Sequence, residues 1–258
     1  MRKICIIGIG AGNPDHLTVQ AIEALNRVDV FFIPDKGAEK AGLRRLRTEI
    51  CERFIKNRTY RLIDVGRPER DKVFSDYHAN VAKWHAAIEA SYADLLTHEL
   101  ADGECGAFLV WGDPSLYDST LRIIERIHAK GPAFEYEVIP GITSIQALAA
   151  KHRISLNRIG EPVLITTGRK LAEGLADAER SVVVLLDGDQ AFTRLDGSDF
   201  DIFWGANLGT ADEILIRGRL GDVMADIRRA REQVRQQQGW VMDTYLLRKS
   251  GRSEDREQ

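Results

Sequence analysis

Apolar residues along the chain gather in short runs, separated by longer stretches in which they recur every third or fourth position. The runs at 3–9, 29–33, 60–65, 106–111 and 134–139 predict strands. Among the stretches between them, Leu17, Ala21, Leu25 and Val28 mark one helix, Leu43, Leu46, Ile50 and Phe54 a second, and Val81, Trp84, Ile88, Tyr92 and Leu95 a third. Core-facing helix sides account for these stripes. A strand and helix alternation of this kind predicts a parallel sheet. After Pro140-Gly141 the pattern restarts, with a helix near 142–152 and strands near 162–167, 181–187, 200–204, 213–219 and 240–247. The pair around Gly218 and the alternating Trp240–Leu247 run predict a mixed sheet with antiparallel members. The expected architecture is α/β with two α/β domains, 1–140 and 141–248, and a polar tail at 249–258 expected to be disordered.

Three glycine turns close apolar runs: ICIIGIGAGNPDHLT, FLVWGDPSLYDST and YEVIPGITS. Each falls at the carboxyl end of an expected parallel strand, which is where open α/β sheets bind ligands. Glycine there lets the main chain approach a ligand closely. The first turn is not the dinucleotide fingerprint, because Asn13 stands where G-x-G-x-x-G needs its third glycine. Pro14 follows and supplies no N–H, so a pyrophosphate would find fewer donors than a Rossmann turn offers. No Lys-Ser or Lys-Thr follows the glycines, which excludes a P-loop.

A formal net charge of −3 speaks against a nucleic-acid binder, and against a ribosomal-RNA methyltransferase in particular. No apolar stretch is long enough to span a membrane, and the run Ile4–Ile7 reaches glycine too soon for a signal-peptide core. Cys5, Cys51 and Cys105 form no C-x-x-C, so neither a disulfide framework nor a zinc ribbon is expected, and a reducing cytoplasm fits best. His78 and His85 would lie about 10.5 Å apart along a helix, too far to share an ion. With no H-E-x-x-H either, no metal is expected. His16 reads as a surface residue at a helix start.

Taken in order, these motifs resemble the tetrapyrrole methylases of corrinoid and sirohaem biosynthesis. The family's glycine turn followed by Leu-Thr stands as Gly8–Thr18, its G-D-P as Gly112–Pro114, and its P-G-x-[ST]-[SA] as Pro140–Ser144. A later Leu208-Gly209-Thr210-Ala211-Asp212-Glu213 is similar to the glycine-Thr turn before the family's last sheet. The resemblance implies S-adenosyl-L-methionine as methyl donor, leaving as S-adenosyl-L-homocysteine, in the cleft between the two domains. It implies donor contacts at Pro14, Trp111, Gly112, Asp113, Leu116, Thr143 and Ser144, with Leu186 and Leu208 added from the second domain. Two positions depart from the pattern: Trp111 replaces a glycine common in relatives, and Asp187 stands where many carry Met. A small-molecule tetrapyrrole substrate, a homodimer and a cytoplasmic location are further implications. A donor without phosphates also suits a glycine turn poor in helix-end N–H groups.

Within the family, Asp35-Lys36-Gly37, the extended Trp111–Thr120 segment and the long stretch 36–58 look most like members that release an acyl group while methylating a ring carbon. Such a reaction needs a base for water and a donor for the oxyanion. The roles implied are Asp35 as base, Lys36 as partner of an oxyanion or carboxylate, and Tyr117 as a hydrogen-bond donor. An exposed turn pair is the plainer account of Asp35 and Lys36. Arg44, Arg67 and Arg122 are candidates to meet substrate carboxylates. A sibling methylase acting at another ring carbon, and a nucleotide-binding module, are the competing readings.

Overall fold

A computed structural model describes residues 1–34, 41–57, 59–66, 77–175 and 180–250, with the backbone alone at 41, 77–83 and 85. The chain divides into two units, Met1–Thr143 and Ser144–Gln258.

In the first unit, β1 (Arg2–Gly8), β2 (Val30–Pro34), β3 (Arg61–Val65), β4 (Cys105–Val110) and β5 (Phe134–Ile139) form a sheet in the order β3-β2-β4-β1-β5. Every pairing is parallel. Side chains alternate across a strand, and here both faces of the central strands are buried. Cys5, Ile7, Phe31, Ile33, Ala107 and Leu109 pack with α1 (Val19–Leu25) and α2 (Ala41–Phe54) on one side. Ile4, Ile6, Val30, Phe32, Phe108 and Val110 pack with α3 (Tyr77–His98) and α4 (Thr120–Lys130) on the other. In the central strands β2, β4 and β1 the apolar runs are continuous because neither face meets water. The edge strands β3 and β5 keep exposed positions such as Leu62 and Val138. Each wholly buried Ile or Phe contributes roughly 1.5–3 kcal/mol. Cys5 and Cys105 are free thiols brought within 3.5 Å by the pairing of β1 with β4.

In the second unit, α5 (Ser144–His152) leads into β6 (Val163–Thr167), α6 (Gly168–Leu171), β7 (Ser181–Leu185), β8 (Phe200–Ala206), β9 (Ile214–Arg219), α7 (Leu220–Gln238) and β10 (Asp243–Lys249). The sheet order is β6-β7-β10-β8-β9; β6 and β7 are parallel and the other pairs antiparallel, so it is mixed. Val182, Val184, Ile202, Trp204, Tyr245 and Leu247 share a core with Leu220 and Ile227 of α7. The expected strands agree with these to within a few residues. Three details differ. The run expected at 181–187 stops at Leu185, because Leu186 turns into the left-handed region with φ 55°. The last strand begins at Asp243 and not at 240, and the amides of Lys249 and Ser250 remain tied to the carbonyls of Arg180 and Asp199 at 2.8 Å. The expected tail otherwise falls at 251–258, outside the described residues. The pattern reading assigns nothing to 220–239, where α7 runs for 19 residues and ends on Gly239 at φ 77°.

Candidate functional site

The carboxyl ends of β1, β4 and β5 bring the three glycine turns of the first unit into backbone contact. Ile9 N–H donates to the Val110 carbonyl at 2.9 Å, and Gly112 N–H donates to the Gly10 carbonyl at 2.8 Å. A Cβ built on Gly8 would lie 2.6 Å from Gly141 N, and one built on Gly141 would lie 2.1 Å from Gly112 O. Neither glycine can carry a side chain while the turns stay where they are. Gly112 adds a second requirement, a φ of 70°. Gly10, at φ 82°, has His16 Cβ where its own Cβ would fall. His16 is thus packed onto the turn and partly buried, not a surface residue. The result is a small platform walled by main chain.

No α-helix starts at the first turn. Asn13 caps a three-residue 3-10 helix, Pro14–His16, by accepting the Asp15 N–H at 2.9 Å. The first α-helix starts only at Val19, where Thr18 Oγ1 already accepts the Ala21 N–H at 3.0 Å. A helix end aimed at a phosphate is therefore missing from this turn, and the platform fits a ligand without phosphates.

Asp113 is expected at the crevice as a ligand contact, yet its carboxylate is turned into the platform. Oδ1 accepts the Ser115 N–H at 2.8 Å and the Ser115 hydroxyl, and Oδ2 accepts the Gly141 N–H at 2.8 Å. Burial pushes its pKa up, but the Ser115 hydroxyl and the Gly141 and Ser115 amides outweigh that and hold the carboxyl below its usual range. Asp113 thus clasps the second turn to the third as an anion. Trp111 is partly buried against the β1–β2 core, Leu116 is half-buried, and Thr143 is buried with its Cα 3.8 Å from where a Cβ of Gly112 would be. Tyr117 is 45% exposed in the left-handed region at φ 51°, presented outward from the segment after Gly112-Asp113-Pro114.

Asp35, Lys36 and Arg67 lie outside the described residues. Of the other arginines, Arg44 pairs with Asp64, and Arg122 donates at 3.4 Å to the carbonyl of Asp118, just ahead of its own helix.

In the second unit, Ser144 opens α5 and its Oγ accepts the Thr244 hydroxyl at 2.8 Å. Leu208 is buried, with Cδ2 2.7 Å from where a Cβ of Gly205 would fall. Leu186 is 67% exposed, beyond the end of β7. Beneath it lies a buried polar network that the sequence reading does not anticipate. Asp187, 4% exposed, accepts the Ala191 N–H at 3.0 and 2.8 Å and the Tyr245 hydroxyl at 2.6 Å. Arg231 donates to the Asp187 carbonyl at 2.9 Å and pairs with Asp243, which also accepts the Trp204 indole N–H at 2.8 Å. Burial pushes the Tyr245 and Asp243 pKa values up, with the charge of Asp187 adding to both. The one signal in sequence is the departure at Asp187 itself.

Residues 3–224 match the tetrapyrrole (corrin/porphyrin) methylases. A precorrin-6A synthase (deacetylating) from Sinorhizobium sp. is 53% identical over 96% of this chain and 96% of its own. A more distant relative, the precorrin-2 C(20)-methyltransferase of the same source, is 28% identical over 69% of this chain and 71% of its own. Among solved structures, a cobalamin synthesis related protein (CobF) from Corynebacterium diphtheriae superposes with a TM-score of 0.83 at 40% identity, over 96% of this chain and 98% of that one. The fold is shared by a uroporphyrin-III C-methyltransferase from Thermus thermophilus solved with S-adenosylhomocysteine, at TM-score 0.56 and 17% identity over 95% of this chain and 96% of that one. Among the described residues no helix is long and apolar enough to cross a membrane. The ordered glycine turns, the two sheets and these likenesses agree: the chain belongs to the tetrapyrrole methylases, and is a methyltransferase.

Proposed function

We propose that the chain is a deacetylating precorrin-6A synthase, which methylates precorrin-5 at C-1 and releases acetate. The observation that carries this reading is the end-to-end likeness to the Sinorhizobium enzyme of that name. S-adenosylmethionine, when bound, supplies a methyl group on a sulfonium leaving group. The main-chain platform of Gly8–Gly12, Gly112 and Gly141 suits it, since adenine and amino-acid groups pair with backbone and need no phosphate cradle. Pro14, Trp111, Gly112, Leu116 and Thr143 are its proposed contacts in the first unit, with Ser144, Leu186 and Leu208 in the second. Asp113 serves by holding the second and third turns together.

In the proposed reaction Asp35 takes a proton from water as the oxygen adds to the acetyl carbonyl. Lys36 and Tyr117 donate to the oxyanion. Cleavage of the carbon–carbon bond expels acetate and leaves its electron pair on an enamine ring carbon, which takes the methyl group in line. A dry, oriented approach supplies much of the rate. A homodimer in the cytoplasm completes the reading, the dimer being open to light scattering.

Purified protein incubated with precorrin-5 and methyl-labelled donor should yield one labelled methyl and one acetate per turnover, read by mass. A methylated product that keeps its acetyl group would replace this reading with that of a sibling methylase. Tight NAD binding with no response to S-adenosylhomocysteine would point to a nucleotide-binding module. Asp35→Asn should lower acetate and methylated product together while donor affinity holds; methylation at the normal rate with the acetyl group retained would overturn the order of steps.

A further inference from the structure

The Asp187 network is built around a loop whose shape is unusual at both ends. Leu186 and Gln190 are both left-handed, at φ 55° and 56°, a region that residues with a β-carbon seldom occupy. Such conformations persist only where surrounding structure over-determines them, and they concentrate at functional sites. Here the surroundings can be named. The side chain of Asp187 reaches back to the Ala191 amide at 2.8 Å and down to the Tyr245 hydroxyl at 2.6 Å, while Arg231 holds the Asp187 carbonyl at 2.9 Å. Gly168 completes the seat, since a Cβ there would fall 2.2 Å from Asp187 Oδ1. A buried acid is costly unless its hydrogen-bonding capacity is met, and a fold that wanted only a closed core would place an apolar side chain at this position. What the arrangement fixes is the main chain on either side of Asp187, with Leu186 turned outward and 67% exposed.

We propose that Asp187 is a positioning residue for the methyl donor: anchored by Tyr245, Ala191 and Arg231, it holds the Leu186 main chain in the left-handed shape in which that loop meets the donor. This rests on the proposed donor contact at Leu186. Asp187 does not touch the donor in this scheme; it acts through the loop.

Tyr245→Phe removes one hydroxyl from the network and leaves the ring in its core. With S-adenosylhomocysteine as calorimetric probe, its Kd should rise on the order of tenfold, the weight of one charged hydrogen bond. The KM for S-adenosylmethionine should rise in parallel, with kcat at saturating donor within about twofold. Amide exchange at 186–190 should quicken in the same variant. Asp187→Asn, which keeps the shape but turns one acceptor into a donor, should weaken binding further and stands in if the first variant does not fold. A network that merely stabilises the unit would lower the melting temperature and leave Kd and KM unchanged, which overturns the proposal with the donor-binding reading intact. Failure of the unmodified protein to bind S-adenosylhomocysteine overturns that reading itself.

Discussion

The two units hold their strand-end loops in place by opposite means. In the first, three turns lean on one another through bare main chain, with Gly8, Gly112 and Gly141 in contact and one carboxylate, Asp113, tying the second turn to the third. In the second, the loop after β7 is held from beneath by side chains, with Asp187, Tyr245, Arg231, Asp243 and Trp204 in one buried circuit. The first device is rigid because nothing fits into it. The second is rigid because every member has a partner. The glycine platform should therefore fail by steric intrusion, and the polar circuit by loss of any one charge.

The sharpest break is Gly141→Ala. The new methyl would lie 2.1 Å from a carbonyl oxygen and 2.8 Å from Gly8, both main-chain neighbours with no rotamer to yield. Destabilisation upwards of about 4 kcal/mol is expected by chemical unfolding, a size reserved for such clashes. Gly103→Ala is the control, since Gly103 is left-handed at φ 88°, where Gly141 is not, but has open space around it. It should cost only the backbone preference, about 1–2 kcal/mol. Equal effects at the two sites would mean that the turns can separate, and that the platform is not the close contact described.

Arg231→Met tests the other side of the comparison. The guanidinium pairs with the buried Asp243 carboxylate and donates to the Asp187 main-chain carbonyl, so its loss strands one buried carboxylate and one carbonyl, at a cost of about 3–5 kcal/mol. Adding Asp243→Asn should recover part of that loss, because the two residues form one unit and their effects do not add. A loss below about 1 kcal/mol would reduce the circuit to independent hydrogen bonds.

The contrast also explains what could be read without coordinates. The platform is legible because its physical requirement, the absence of a side chain at Gly8, Gly112 and Gly141, is written as glycine at strand ends. The circuit joins residues 44 and 58 positions apart along the chain, and each looks ordinary alone. Arg231 stands in α7 among Arg228, Arg229 and Arg235, where a solvated face is the default. α7 itself is hard to see, since its buried positions Leu220, Ile227, Arg231 and Val234 are sparse among charges and glutamines. Asp113 was legible as a position but not in its direction. A sequence shows that an acid sits at a strand end; only the fold shows that Gly141 N–H is there to receive it.

A smaller effect is expected from Asp113→Asn. The amide keeps the outline but loses charge and sets an N–H₂ against donors, which should cost roughly 1–3 kcal/mol. Because the folded pKa of Asp113 is depressed, its contribution is present above the unfolded carboxyl pKa and is lost as pH falls through the folded value. The variant should therefore flatten stability at the acid end, below about pH 4. An unchanged acid limb would mean that the Ser115 and Gly141 contacts do not distinguish the charged form.

The smallest expected effect separates the units along the pH axis. His152, the last residue of α5, is 5% exposed, with Nε2 3.0 Å from the Trp204 carbonyl and its ring edge-on to Phe203 at 5.7 Å. A carbonyl only accepts, so Nε2 donates. Burial, the largest cause, lowers the pKa, and Arg217 lowers it further against the opposing effects of the Trp204 bond and Glu213. The unfolded chain, with histidine near pH 6.5, then binds the proton more readily than the folded one. Stability should be flat above that pH and decline as pH falls from about 6.5 toward the folded value, by at most about 1.4 kcal/mol per pH unit for one proton. This window lies above the one in which Asp113 acts, so mild acid should loosen the second unit before it touches the glycine platform. Amide exchange between pH 7.5 and 5 would read the two units separately, with α5 and β8 quickening first. His152→Gln should remove the decline in that window and leave the lower, carboxylate limb in place. If the decline persists in the variant, another group carries it, and the two units do not part on the pH axis through His152.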